Sequence, residues 1–136
     1  MVKISMVYEG GLRCRLRHEP SGQVITTDAP VDNMGKGEAF SPTDLTAAAL
    51  GSCMLTVMGI AAQRHNIELT GTRAEVIKEM VTQPTRRVGS ISVTIQMAKG
   101  ISSDKRAMLE AVAHACPIHK SLHPDVLVPV QFVYPD

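Results

Sequence analysis

The sequence predicts a single α+β domain over residues 1–136, with element order βββ–α–ββ–αα–β and a long central helix. Three observations carry that prediction. Short segments of alternating apolar and polar residues open the chain and recur in its middle, as half-buried strands require. Between them lies Thr43–Ala62, whose only charge is Asp44, a run too long for a strand. A second, shorter helical stripe then runs into Pro117. With 136 residues, 44% hydrophobic and 20% charged, the chain has material for one core and not for two.

The first three strands fall within residues 1–28. Val2, Ile4, Met6 and Tyr8 alternate with polar or small neighbours, and Glu9-Gly10-Gly11 signals a turn. Leu12 to His18 alternates again, with Arg13, Arg15 and Arg17 on one face and Leu12, Cys14 and Leu16 on the other. Pro20-Ser21-Gly22 turns the chain into Gln23–Thr27. Residues 29–40, with Pro30, Asn33, Gly35 and Gly37, read as a loop.

Ser41-Pro42-Thr43-Asp44 is a helix start: a capping hydroxyl, a proline for the first helical position and an acid for the positive end of the dipole. The helix runs to about Arg64, with Asn66 as its stop. It is apolar nearly all round, which predicts burial on every side. At 1.5 Å per residue it is about 30 Å long, the width of a domain this size, so one chain has little left to wrap it. Ala47, Ala48, Gly51, Ser52 and Gly59 would admit another backbone closely. An intimate homodimer with this helix near its centre follows.

Two strands, Glu68–Val81 and Val88–Lys99, flank a Gln83-Pro84-Thr85 turn. Ser103 or Asp104 caps a second helix with Met108, Leu109, Val112, Ala113 and Cys116 on one stripe. Pro117 starts a further turn, Ile118–Leu122, and Val126–Tyr134 closes as a strand.

Composition narrows the function classes. Fourteen Lys+Arg against thirteen Asp+Glu leave a net charge of +1, with no basic stripe for nucleic acid or anionic lipid. Aromatics are 3% with no Trp, which speaks against a base-stacking platform. The long apolar run could span a bilayer by length. Its Ala, Gly, Ser and Thr content and the lack of a flanking polybasic loop favour a buried helix and no membrane. Three cysteines without a C-x-x-C, and an N-terminus leading straight into an alternating segment, read as free thiols in a cytoplasmic protein.

The residues alone leave each thiol's role open. Cys53, mid-way along the apolar helix, is either an inert small hydrophobe or a nucleophile. Cys116, directly before Pro117, either ends a core stripe or caps the next helix, where unpaired N–H groups would favour a thiolate. Cys14 lies between two arginines on a strand, points away from them and reads as structural. His114, Cys116, His119 and His123 offer a competing metal reading, since His119 and His123 have i, i+4 spacing. Pro117 breaks that geometry, and the preferred reading has no metal.

Two motifs decide between these readings. Ser41-Pro42-Thr43-Asp44-Leu45-Thr46-Ala47-Ala48-Ala49-Leu50-Gly51-Ser52-Cys53 resembles the N-P-x-x-L-x-A-A-x-x-x-x-C signature of the OsmC/Ohr superfamily, the osmotically inducible and organic hydroperoxide resistance proteins. Cys116-Pro117-Ile118-His119-Lys120-Ser121-Leu122 resembles its second signature, C-P-[IV]-x-K-x-L. The resemblance covers nearly the whole chain and lies nearest the OsmC-like branch.

It implies an OsmC-like fold in which two subunits interlock around their long helices. It also implies a thiol peroxidase for organic hydroperoxides, with Cys53 peroxidatic and Cys116 resolving. An external dithiol of lipoyl type would regenerate both, and no metal or organic cofactor is needed. Desolvation disfavours a buried thiolate, so a cation is required. Family members supply an arginine from an early strand, which here is Arg13, or Arg15 in a shifted register.

The sequence departs from the hydroperoxide-resistance branch at Thr43, where that branch carries a Glu that orients the arginine. Asp44 falls on the far side of the helix from Cys53 at 100° per residue and reads as a first-turn dipole residue. Glu38 in the preceding loop is a further candidate. The departure keeps a second function in view, a weakly active or non-catalytic dimer that binds a small apolar ligand.

Overall fold

The computed structural model describes residues 1–135. The chain is mixed α+β and follows the expected element order from end to end. It divides into two compact units, Met1–Thr46 and Ala47 onward.

In the first unit, β1 (Ile4–Gly10), β2 (Arg13–His18) and β3 (Val24–Asp28) form an antiparallel sheet in that order. The β1–β2 turn takes three successive left-handed residues, Gly10, Gly11 and Leu12. The register aligns Met6, Leu16 and Ile25 in one cross-strand row and places Val7, Arg15 and Thr26 in the next. Side chains therefore alternate as predicted, arginines on one face and Cys14 with Leu16 on the other.

The 29–40 loop is compact. A single 3₁₀ turn spans Val31–Asn33. Gly35 passes so near the backbone of Ala29 that a Cβ there would meet the Ala29 carbonyl oxygen at 1.7 Å. Only glycine fits. The N–H of Gly37 donates to Ala29 O (3.2 Å), and that of Asp28 to Phe40 O (3.1 Å), closing the loop at its base.

Helix α1 (Pro42–Arg64) begins with a reciprocal cap. The Asp44 N–H donates to Ser41 Oγ (3.0 Å), and the Ser41 N–H donates to Asp44 Oδ2 (2.9 Å). The helix ends at left-handed Asn66, with the Ile67 N–H donating to Ala62 O (2.8 Å).

In the second unit, β4 (Arg73–Val81) and β5 (Arg87–Gln96) are antiparallel around a turn with a cis Gln83–Pro84 bond. The chain then crosses over through α2 (Ser103–His114) and α3 (Pro117–Ser121) and returns as β6 (Val130–Val133), parallel to β5. A parallel neighbour needs such a crossover.

Three boundaries differ from expectation, the first being that β5 ends at Gln96 and not at Lys99. Residues 68–72 turn before β4 begins, because Glu68 accepts the Thr70 N–H and Gly71 is left-handed. Pairing with β5 starts at Leu127 as an isolated bridge and becomes a ladder only past Pro129, which has no N–H to give.

The core lies in the second unit. Ala47, Leu50, Met54, Met58 and Ala62 form one stripe of α1, packed with Ile91, Val93 and Ile95 of β5, Leu109 and Ala113 of α2, and Cys116. Each large side chain buried there contributes about 1.5–3 kcal/mol. Gly51 lets α1 lie close to β4, as a Cβ there would stand 3.0 Å from a Val76 methyl. One chain does not bury α1 on every side, as the composition predicted. Ile60 is 47% exposed, and Gly59 has open space beside it. The helix is also long and apolar enough to cross a bilayer, with a mean hydropathy of 1.8 over its best window. Here its stripe is the core of a sheet-and-helix unit.

Candidate active site

Cys53 and Cys116 come together in the second unit. Cys53 projects from the middle of α1, half-buried beside the core. Cys116 is fully buried at the end of the α2 stripe, near enough to Cys53 for the two thiols to influence each other. Both are free thiols.

Cys116 caps α3 as anticipated. Its extended backbone (φ −61°, ψ 144°) turns the Sγ to accept the His119 N–H at 3.3 Å, with Pro117 in the first helical turn. The expected electrostatic consequence does not follow. Burial pushes the Cys116 thiol above its ordinary value, and the neighbouring Cys53 pushes it the same way. The His119 N–H opposes them without prevailing. Desolvation of an anion outweighs the backbone N–H groups of His119 and Ile118 at the head of a five-residue helix.

The two thiols are therefore unequal. Oxidation follows exposure and thiolate character, so the buried, proton-retaining Cys116 is the poorer first nucleophile. Cys53 is the more accessible of the two.

Arg13 belongs to the first unit. Its Nη1 forms an ion pair with Glu38 Oε2 at 3.2 Å. Arg15 lies two residues along the same face, and Arg17 pairs with Glu19 at 3.4 Å. Of the two candidate arginines, Arg13 is the one tied to a carboxylate from the 29–40 loop.

Thr43 and Asp44 are engaged in starting α1: the hydroxyl oxygens of Thr43 and Ser41 lie 3.2 Å apart, and Asp44 completes the cap. The carboxylate paired with Arg13 is Glu38. Its position in a loop, outside any helical period, is why spacing could only name it among alternatives.

The histidines serve backbone groups. His119 Nδ1 lies 3.1 Å from His114 O, and His123 Nδ1 accepts the Asp125 N–H at 3.0 Å. Cys14 stands opposite Tyr8 and Thr27, on the face away from the arginines. Sequence reasoning missed Asp28, buried at the end of β3, whose Oδ2 accepts the Glu38 N–H at 3.0 Å. Its signal was faint, one acid ending an alternating segment.

The family model described as OsmC-like protein matches residues 35–130. Among curated proteins no relative matches the chain. A Psychrobacter arcticus crystal structure, described as an osmotic stress induced and detoxification response protein, is 44% identical, with a TM-score of 0.91. The match covers 97% of this chain and 96% of that one. An organic hydroperoxide resistance protein from Legionella pneumophila has the same fold at 17% identity, with a TM-score of 0.79 over 98% and 96% of the two chains. One from Bacillus subtilis does so at 19% identity, with a TM-score of 0.72 over 97% of each.

Proposed function

The chain belongs to the OsmC-like family, and on that premise we propose that it is a thiol peroxidase for organic hydroperoxides acting as a homodimer in a reducing cytoplasm. The observation that carries the reading is the facing pair of unequal thiols, Cys53 half-buried and Cys116 fully buried with its proton held.

In the first step the Cys53 thiolate attacks the terminal oxygen of R–O–O–H. An S–O bond forms, the O–O bond breaks, and the leaving alkoxide takes a proton to become the alcohol. Cys53 is left as a sulfenic acid. In the second step Cys116 attacks that sulfur, an S–S bond forms and water leaves. An external dithiol of lipoyl type then reduces the disulfide by exchange and is itself oxidised. Val57, partly buried one helical turn after Cys53, suits an alkyl chain better than hydrogen peroxide.

Arg13 is the cation proposed to favour the Cys53 thiolate. Arg13 is paired with Glu38, and a guanidinium has N–H groups to serve a carboxylate and a second anion at once. Thr43 therefore does not deprive the reaction of an arginine–carboxylate pair. A second copy of the chain is the proposed cover for the exposed side of α1.

Thiol counting by mass spectrometry after one equivalent of tert-butyl hydroperoxide tests the chemistry. Wild type should lose two thiols as a Cys53–Cys116 disulfide. Cys116→Ser should stop at a Cys53 sulfenic acid and over-oxidise, and Cys53→Ser should consume no peroxide. Wild-type turnover by Cys53→Ser would remove Cys53 from the chemistry, and a wild type that consumes no peroxide would leave a ligand-binding dimer as the better reading.

A further inference from the structure

The Arg13–Glu38 pair raises a problem of order. Glu38 is in a loop with its side chain half exposed, and an ion pair between exposed side chains contributes little. Such a pair alone does not hold a guanidinium in one place. Something must fix the backbone of Glu38.

Asp28 does so. It is 1% exposed, the last residue of β3, and directly opposite Arg13 in the β2–β3 register. Its Oδ2 accepts the Glu38 N–H at 3.0 Å, and its own N–H donates to Phe40 O at 3.1 Å. The Ala29 N–H donates to Leu12 O at 3.2 Å, tying the same strand end to the residue before Arg13. A closed circuit results: Arg13 faces Asp28 across the sheet, Asp28 holds Glu38, and Glu38 holds Arg13. The charged groups facing Arg13 within this unit are Arg15 and Arg17 on its own strand, Asp28 on β3 and Glu38 on the loop. Arg17 is engaged with Glu19, and Arg13 pairs with Glu38, whose backbone Asp28 holds.

Burying a carboxylate is costly unless its oxygens are bonded. A hydrogen bond from a backbone N–H to a charged oxygen is among the stronger kinds. Gly35, with no room for a Cβ, lets the loop lie close enough for that bond to form.

We propose that Asp28 is a positioning residue for the peroxidase reaction, a buried acceptor that seats Glu38 so that Arg13 is held in one orientation. This rests on the reading of Arg13 as the cation that favours the Cys53 thiolate.

Two readouts test it, and they fail separately. The first is the pH profile of iodoacetamide labelling at Cys53, followed peptide by peptide. Arg13→Ala should raise its midpoint by about one unit, the size expected when an opposite charge is withdrawn. Asp28→Ala and Glu38→Gln should each raise it by about half as much. Asp28→Asn should restore the wild-type midpoint, because an amide oxygen can still accept the Glu38 N–H. The second is the guanidinium Nε–H signal of Arg13 in the arginine-labelled protein, which should broaden in Asp28→Ala and Glu38→Gln and persist in Asp28→Asn.

An unchanged Arg13 signal in Asp28→Ala overturns the proposal, whatever Cys53 does. A midpoint moved by Arg13→Ala but not by Glu38→Gln overturns it while leaving the peroxidase reading intact. A sharp Arg13 signal that depends on Asp28, with no midpoint shift in Arg13→Ala, removes Arg13 from the chemistry and with it the positioning role. Glu38→Gln, a change at an exposed side chain, keeps the test decisive should Asp28→Ala not fold.

Discussion

The two three-stranded sheets are built from the same kind of sequence and end in different surroundings. In β5 the alternating residues Ile91, Val93 and Ile95 are 0%, 1% and 0% exposed, covered by α1 and α2. In β1 the alternating residues Ile4, Met6 and Tyr8 are 51%, 61% and 63% exposed. Among the described residues of the first unit, the only buried ones are Thr27, Asp28 and Ser41, all polar. Alternation therefore encodes a strand and the face that wants cover, but not where the cover comes from. The second sheet finds it within the chain. The first sheet shows an apolar row, Met6–Leu16–Ile25, of the kind that marks an interface.

The most drastic way to break this comparison is to charge that row. In the proposed dimer, Met6→Glu with Ile25→Glu would bury two unpaired carboxylates, at a cost of several kcal/mol. Sedimentation should then show a monomer where wild type is a dimer. Ile77→Glu, at an exposed position on β4, should leave the dimer intact. A dimer that survives the double substitution would mean that no partner covers the first sheet.

A buried and an exposed position of α1 give a smaller contrast. Leu50 is fully buried in the second unit's core, whereas Ile60 is nearly half exposed. Leu50→Ala should lower the urea unfolding free energy by about 2–5 kcal/mol. Ile60→Ala should cost less than about 1 kcal/mol in unfolding, yet weaken dimerisation measurably if a second copy packs there. Equal unfolding costs for the two would show that the helix is enclosed more fully than one chain provides.

What was legible follows the same division. Strand period, the Ser41–Asp44 cap, left-handed Asn66 and the break at Pro117 are local signals, read within a few residues, and they located nearly every element. The pairing of Cys53 with Cys116 was legible only through the family motifs, because nothing local links a helix middle to a later helix cap. The Glu38–Asp28 circuit was less legible still. It depends on a loop folding back through the contact at Gly35, and loop closure leaves no period to read. The raised pKa of Cys116 escaped for a related reason: capping is a local property, whereas burial is set by the whole unit.

The second unit also secures its last strand from within, and that tie yields the smallest expected effect. Just past β6, the Tyr134 hydroxyl donates to Glu110 Oε2 of α2 at 2.8 Å, and the Arg106 guanidinium lies 4.2 Å above the ring. Burial, followed by the Glu110 carboxylate, pushes the tyrosine from 10.0 up to about 12. Between those values the unfolded chain releases the phenolic proton while the folded chain keeps it. Stability tied to this group is then fully present below about pH 10 and is lost as pH rises through about 12. Cys116, also raised, adds a fall of the same sign from about pH 9 upward. Solvent access to the ring reduces the tyrosine's share to about 1 kcal/mol. Tyr134→Phe should therefore cost about that much at pH 8 and flatten the decline of urea midpoints between pH 10 and 12. Cys116→Ser should flatten only its earlier part. An identical decline in Tyr134→Phe and wild type would mean that the Glu110 hydrogen bond does not hold the phenolic proton, and that packing alone secures the end of this sheet.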